Sequence, residues 1–529
     1  MSDLAQPRVS EGVGAPQVEL SRVWRWLLLV SVAICAASGL VYELALVSLS
    51  ASLNGGGIVE TSLIVAGYVA ALGLGALLVK PFLRWPAQTF LGVETLLGLI
   101  GGTSAIVLYL TFATIGQSIW ILVLATALIG ILVGAELPLL MTMIQRGRIA
   151  DARTTGSLVA TLNAADYLGA LIGGLSWPFI LLPWLGMMRG AAAAGMINLL
   201  AALFVGCVLL RHLLPGRQFV VSVGALLLAI ALLATLLIRS EGIVTTARQQ
   251  LYTDPLVFSQ QSDYQDIVVT QRGQDRRLYL NGGLQYSTRD EHRYTESLVY
   301  PVLSPAAEEV LIIGGGDGLA ARELLKFPGM QITQVELDPK VIEVANTVLR
   351  EDNGGAMEDP RVKVIVDDAF TWLRGGGEQG KSYDAIIIDL PDPNNDTMAR
   401  LYSQEFYTLA GARLNEGGRM VVQSSSAYTT PDVFWRIGAT LSAAGCEKLI
   451  PYHVHVPTFG DWGFQLCGPT EMKLGLRPDT PELEFLNDEV LAAATVFGED
   501  NQKKELEPST LDHPRVVEDL RRGYRQAGE

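Results

Sequence analysis

The chain has 529 residues, of which 50% are hydrophobic and only 18% charged, with a formal net charge of −15. That length exceeds one domain, and the charge is unevenly spread. Residues 1–238 hold eleven Lys/Arg against nine Asp/Glu, while the remainder holds twenty-eight against forty-five. So acidic a C-terminal half argues against a nucleic-acid partner, whose phosphates it would repel, and suits a cationic ligand, although acidity also serves solubility. The four cysteines, Cys35, Cys207, Cys446 and Cys467, show no CxxC and no metal-ligand spacing, so neither a disulfide framework nor a metal site is expected.

In chain order, a tail over 1–23 precedes seven apolar stretches near 24–51, 58–79, 89–112, 118–143, 157–184, 187–210 and 218–238. Each is long enough to cross a bilayer, which takes ~20 helical residues. The first is too deep and too long for a cleaved leader. Trp24, Trp26, Trp85, Trp120, Trp177 and Trp184 fall mostly near segment ends, as an interfacial aromatic belt would. Ten basic residues lie in the tail and the second, fourth and sixth connections (Arg8, Arg22, Arg25; Lys80, Arg84; Arg146, Arg148, Arg153; Arg211, Arg217), with Arg189, Arg239 and Arg248 on the other side. That bias places the N-terminus in the cytoplasm, and seven crossings would then put the C-terminal half outside. Glu43, Glu94, Glu136 and Asp166 sit within apolar stretches, where a carboxylate usually faces a bundle interior; a cation path and structural hydrogen bonding are the two readings. The run Gly169–Gly174 indicates close helix packing.

Beyond a linker, short β-type runs separated by tight turns (Asp266–Gln271; Arg277–Leu280 before Asn281-Gly282-Gly283) predict a small antiparallel unit within 239–305. From 306 to 475 strands and helices alternate. The strand Val310–Ile313 runs into Gly314-Gly315-Gly316-Asp317-Gly318 and a helix, the opening unit of a dinucleotide-type fold. The next strands end in Glu336 and Asp338, then Asp367-Asp368, then Asp389 with Asp392. Acids at four successive strand ends converge on one crevice at the carboxyl edge of a parallel sheet. As helix N-caps they would need no ligand, which covers one or two of them. The loop lacks Gly-Lys-Ser/Thr, and Asp317 would repel a pyrophosphate, so a nucleoside with a cationic substituent fits better than NAD. The last stretch, 476–529, is charged and helical in pattern (488–497 and 516–525) and is expected to pack on the outside.

These motifs resemble the spermidine synthase family of aminopropyltransferases, and the whole chain resembles its membrane-fused branch. The matching residues are Tyr264-Gln265-Asp266-Ile267, Leu280 to Gln285, Thr288 to Glu291, Tyr294, Glu296, the 314–318 loop, Glu336 with Asp338, and Asp389 with Asp392-Pro393. The resemblance implies an α-helical multi-spanning membrane domain (24–238) followed by a Rossmann-like, methyltransferase-type α/β domain. It implies that Gln265 and Glu336 hold the donor's sugar, that Asp368 and Ala369 meet the adenine, and that Gly314 and Gly316 let the loop approach the ligand. Asp317 would bind the aminopropyl ammonium, Asp389 would be the catalytic base beside Tyr294, and Asp392 and Gln285 would face the acceptor amine. No metal and no tightly bound cofactor are implied; decarboxylated S-adenosylmethionine is the co-substrate, and a diamine or polyamine and the bilayer are the partners, with a homo-oligomer compatible. A donor made in the cytosol argues for a cytoplasmic enzyme domain, against the charge bias. Gln423 is followed by Ser424 rather than an acid, Phe459 replaces a tyrosine and Thr295 a histidine, all on the acceptor side. An S-adenosylmethionine methyltransferase and a non-catalytic polyamine sensor or transporter are the alternatives.

Overall fold

The computed structural model describes residues 22–54, 58–115, 119–146 and 152–527; most of the predicted tail, with Arg8, and Arg148 lie outside these. The chain separates into two compact units at Leu251/Tyr252. Unit 1 consists of long apolar helices: α1 (Arg22–Asn54), α2 (Ile58–Leu78), α3 (Pro86–Ile115), α4 (Ile119–Arg146), α5 (Ala152–Ser176), α6 (Leu182–Phe204) and α7 (Gly216–Leu251). Six stretches are long and apolar enough to cross a membrane, and one of them, Ala160–Leu209, runs to 50 residues. Within it Gly186 has φ 73°, which breaks the helix where the sequence separates its fifth and sixth stretches. Small residues set the packing. A Cβ at Gly75 or Gly134 would fall within about 2 Å of a carbonyl oxygen on the facing helix (Ile131 and Leu72), so α2 and α4 meet backbone to backbone. Helix α7 continues past the predicted end at 238 because its polar last turns, Arg239–Leu251, keep helical geometry after the apolar run stops.

Unit 2 opens with a four-stranded antiparallel sheet, β1 (Leu256–Gln261), β2 (Asp266–Arg272), β3 (Asp275–Leu280) and β4 (Gly283–Ser287), followed by α8 (Glu291–Val299). Then come β5 (Glu309–Gly314), α9 (Leu319–Leu324), β6 (Gln331–Glu336), α10 (Pro339–Asn346), β7 (Val362–Val366), α11 (Ala369–Arg374) and β8 (Tyr383–Asp389). The chain continues through α12 (Asp396–Ala399), α13 (Gln404–Gly411), β9 (Leu414–Gln423), α14 (Pro431–Ala443), β10 (Lys448–Val456), β11 (Gly460–Gly468), α15 (Asp488–Ala494) and α16 (Arg515–Ala527). The seven strands order as β10-β11-β9-β8-β5-β6-β7. The five from β9 to β7 run parallel, and β11 is antiparallel to both of its neighbours. Strand order reverses between β5 and β8, and a crevice opens at such a switch point.

Alternation along each strand builds two cores. Val310 and Ile312 enter a layer with Leu298, Leu324 and Ile387, while Leu311 and Ile313 face the opposite layer with Val335, Ile386 and Ile388. The predicted outlying tail is instead part of both layers. Leu486, Leu491 and Ala494 complete the first, and Val516, Val517 and Leu520 complete the second. Its entry is fixed by Glu296, 2% exposed, whose carboxylate accepts the backbone N–H groups of Glu484, Phe485 and Leu486 at 2.9, 3.0 and 2.8 Å. Arg436 and Asp519 form a buried ion pair that ties α16 to α14. Contrary to the cysteine reading, Cys446 and Cys467 form a disulfide, because the β10–β11 register sets Leu449 opposite Cys467 and brings the two Cα atoms to 5.7 Å.

Replacing Glu296 by Ala leaves three backbone amides, those of Glu484, Phe485 and Leu486, without their charged acceptor. It is expected to cost roughly 3 kcal/mol, lower the thermal midpoint and expose the 476–487 segment to protease. An unchanged midpoint and unchanged cleavage would show that this clasp does not hold the tail.

Candidate active site

The parallel register sets the level of the site. Gly314 lies opposite Asp389, and Ile313 opposite Val335, so the ends of β5, β8 and β6 share one edge. The glycine loop hugs that edge: Gly315 N donates to the Asp389 carbonyl at 3.0 Å, and Gln334 Nε2 donates to the Gly314 and Gly315 carbonyls at 2.9 and 2.6 Å. Two glycines are required by contact. Gly314, at φ 83°, leaves no room for a Cβ, which would sit 2.1 Å from the Asp389 carbonyl oxygen, and a Cβ on Gly316 would sit 2.7 Å from Glu336 Oε2.

Four carboxyl groups gather here without a basic counter-charge in direct contact. Asp317 Oδ1 accepts Leu319 N at 2.9 Å at the start of α9. Its pKa is pushed up to about 7, first by burial and then by the Asp389 carboxylate. Asp389 is raised to about 6 by burial, opposed by the Tyr294 hydroxyl, which donates to Oδ1 at 2.6 Å. Glu336 is raised to about 7 by burial, opposed by backbone N–H groups, among them Asp338 N at 2.9 Å. Burial also raises Asp392, opposed by hydrogen bonds from Ser425, Tyr524 and Gln423; the Tyr524 hydroxyl of α16 donates to Oδ2 at 3.1 Å.

The remaining sequence-predicted residues divide. Gln265, in the turn between β1 and β2, is brought to the site: its Nε2 donates to Asp338 Oδ2 at 3.1 Å, and Ser262 Oγ reaches the same oxygen at 2.6 Å. Asp338 is also the N-cap of α10, accepting Lys340 N at 2.9 Å. Asp368 caps α11 through Thr371 N at 2.9 Å and pairs with Arg400, so the cap reading applies to its carboxylate; Ala369 begins that helix and is buried. Gln285 turns its amide onto the Gly283 carbonyl at 3.0 Å. Tyr294 stands edge-on to Phe459, with ring centres 5.9 Å apart, and close to Trp462 and Phe464. An aromatic wall therefore flanks Asp389. Thr295 bonds within its own helix, to Glu291 Oε2 at 3.0 Å.

Three residues support the stretch that follows β8: Gln423, noted in the sequence only for the serine that follows it, and Tyr402 and Tyr524, which escaped the sequence reading. Gln423 Nε2 donates to the Leu390 carbonyl and to Tyr402 Oη at 2.5 and 2.6 Å, and the Tyr402 hydroxyl reaches the Pro391 carbonyl at 3.0 Å. Together they brace the segment from Asp389 to Asp392, and Tyr524 holds its far end. Gln423 carried a signal, since it ends β9 beside β8; Tyr402 and Tyr524 carried none.

Residues 291–474 match the family described as the spermine/spermidine synthase domain. The chain is 83% identical over 100% of both chains to a polyamine aminopropyltransferase of Corynebacterium efficiens. It is 59% identical to one from Mycobacterium tuberculosis, over 96% of this chain and 98% of the relative. A spermidine synthase solved with the transition-state analogue AdoDATO is 26% identical, with a TM-score of 0.42 over 46% of this chain and 86% of that one. The chain thus belongs to the polyamine aminopropyltransferase family, enzymes of the spermidine synthase type. That family uses decarboxylated S-adenosylmethionine as co-substrate.

The raised carboxyls have a consequence for stability. Asp317, Glu336 and Asp389 hold protons in the folded state up to about 6–7, above their ordinary values of 3.8 to 4.5. Between those limits the native state binds more protons than the unfolded one, so unfolding free energy falls as pH rises. The contribution is fully present below about pH 4 and lost as pH passes through 6 to 7. Thermal midpoints of the ligand-free full-length protein are expected to decline across that window, and a saturating cationic ligand is expected to flatten the decline. A flat profile without ligand would contradict the assignment.

Proposed function

We propose that the chain is a membrane-embedded aminopropyltransferase. It moves the aminopropyl group of decarboxylated S-adenosylmethionine to putrescine or a similar diamine, giving spermidine or a related polyamine and methylthioadenosine. The observation that carries this reading is the carboxyl set around Asp389, buried and cation-seeking, beside a glycine loop suited to a nucleoside. Gln265 and Glu336 would hold the ribose, Asp368 and Ala369 the adenine edge, and Asp317 the ammonium of the aminopropyl arm. Asp392 and Gln285 would receive the acceptor.

The chemistry follows from charge. The sulfonium is already a good leaving group, so no general acid is needed. The acceptor amine, with an ordinary pKa of ~10.4, is protonated at neutral pH and has no lone pair to offer. Asp389 binds that ammonium and takes its proton. The nitrogen lone pair then attacks the methylene carbon next to sulfur, and the C–S bond breaks with its electrons going to sulfur as a neutral thioether. Tyr294 holds Asp389 in place. Positioning supplies much of the rate, because amine, carbon and sulfur must lie in line.

Asp389→Asn is expected to lower kcat by roughly 10²–10⁴-fold and leave donor binding within a few-fold. Methylthioadenosine release with a panel of diamines would read this. Release at the wild-type rate by the variant, or none from the wild type with any amine, would sink the reading.

Membrane embedding is supported by helices of 21 to 36 residues and by large apolar side chains turned outward, with Trp184 and Ile238 81% exposed and Trp120 78%. The bias of basic residues favours a non-cytoplasmic face for unit 2, and a Cys446–Cys467 disulfide suits an oxidising compartment, while a donor made in the cytosol favours the other side. Protease added to intact cells is accordingly expected to cut unit 2. Full protection would place the domain beside its cytosolic donor and require an even number of crossings.

A further inference from the structure

Unit 1 contains a second set of buried acids that aminopropyl transfer does not use. Glu94 of α3 is 0% exposed, and its carboxylate has no hydrogen-bond partner of good geometry among the described residues, although Asn198 and Cys35 stand beside it. Glu136 of α4 is 5% exposed, and its Oε1 is likewise unpartnered. The two carboxylates lie close enough to repel one another, and both act electrostatically on Cys35 and Tyr42 of α1. Asp166 of α5, half-buried, adds its charge to Glu136 and Cys35.

Neighbouring neutral groups make a second, independent observation. The Tyr42 hydroxyl and Asn198 Oδ1 of α6 belong to residues 0% exposed, and both also lack a hydrogen-bond partner. Asn198 Nδ2 reaches the Glu94 carbonyl at 3.4 Å, which sets its amide group beside Glu94. Tyr42 packs its ring against Gly101, where a Cβ would meet it at 2.5 Å, two turns along α3 from Glu94. Arg189, the basic residue in α6, donates to Ser240 Oγ at 3.1 Å.

An isolated buried carboxylate is strongly unfavourable, and an unmet acceptor has its own cost. Four adjacent residues from four helices carry such unmet groups, and most of these are acceptors. One proton per carboxyl would discharge the acids and could offer the amide oxygen a donor, but would still leave a Glu94 carbonyl oxygen without one. An alkylammonium offers three N–H donors and one positive charge, and a diammonium can answer two carboxylates at once.

We propose that Glu94, Glu136, Tyr42 and Asn198 form a binding site, inside the helical bundle, for an alkylamine carrying two or more ammonium groups. This is the chemical class on which unit 2 acts, so the inference rests on the function and membrane embedding proposed above. The bundle is then a second amine-handling element rather than an anchor alone.

The test is equilibrium dialysis of labelled spermidine with the full-length protein in lipid nanodiscs, comparing wild type with the Glu94→Gln/Glu136→Gln double variant. The double variant is expected to lose one bound equivalent per chain while releasing methylthioadenosine at the wild-type rate, which also reports that it folds. Tyr42→Phe, a gentler change, is expected to weaken that same equivalent about three- to tenfold, the worth of one hydrogen bond. Equal stoichiometry in wild type and double variant would overturn the proposal, as would displacement of the extra equivalent by sodium as readily as by an unlabelled diamine. Because the reading is a difference confined to unit 1, it stands apart from the outcome of the turnover assay. Absent turnover with an intact difference would sink the enzyme reading and leave this site.

Discussion

The catalytic unit depends on one electrostatic imbalance: carboxyl groups buried at the carboxyl edge of a parallel sheet with no basic side chain among the described residues in direct contact. Asp317 and Glu336 titrate near 7 and Asp389 near 6, so each is poised between its charged and neutral forms at physiological pH. Such a site is unfavourable when empty and becomes favourable when a cation enters. That asymmetry selects for a sulfonium and ammonium ions together, and against phosphate-bearing cofactors that share the same fold. The glycine loop serves the same end, since Gly314 and Gly316 bring the backbone close to the acids without side chains intervening.

Holding repelling groups together requires bracing from outside the sheet, and both ends of unit 2 supply it. Before the sheet, Ser262 and Gln265 clamp Asp338 and so set the backbone N–H that steadies Glu336. After it, α16 carries Tyr524 to Asp392, while Glu296 gathers three amides of the incoming tail. The segment between Asp389 and Asp392 is spanned by Gln423 and Tyr402. The matched family domain ends at residue 474, so Tyr524 reaches Asp392 from beyond it. Helix α16 is for this reason part of the site's frame and not a surface appendage.

What was legible in the sequence follows from range. Val310–Ile313 and Ala385–Ile388 read as buried strands because continuous β-branched and aliphatic runs allow little else, and the 314–318 turn read as a ligand loop because its glycines follow such a strand directly. Asp338 and Asp368 were ambiguous for a physical reason: an acid after a strand and before a helix is placed equally well to cap or to bind, and only Thr371, Lys340 and Arg400 decide. The tail was misread because its core contacts are few and widely spaced, Leu486, Leu491, Val516 and Leu520 among many charges, and periodicity over so sparse a set is weak. The disulfide was hidden because Cys446 and Cys467 become neighbours only through the β10–β11 register, a long-range fact.

The two units meet the same physical problem by different means. In unit 2 the acids sit at a sheet edge, open to a crevice, so water or a ligand can relieve them and turnover can proceed. In unit 1 Glu94 and Glu136 lie among close-packed helices, where Gly98 and Gly195 bring α3 and α6 too close for a methyl group. Relief there can come from a proton or from a cation threaded between helices. A crevice exchanges ligands quickly and suits chemistry, whereas an occluded acceptor set exchanges slowly and suits retention or passage. A chain that makes or consumes polyamines gains from both, since a product with several charges binds tightly to a multi-carboxylate site and must have somewhere else to go.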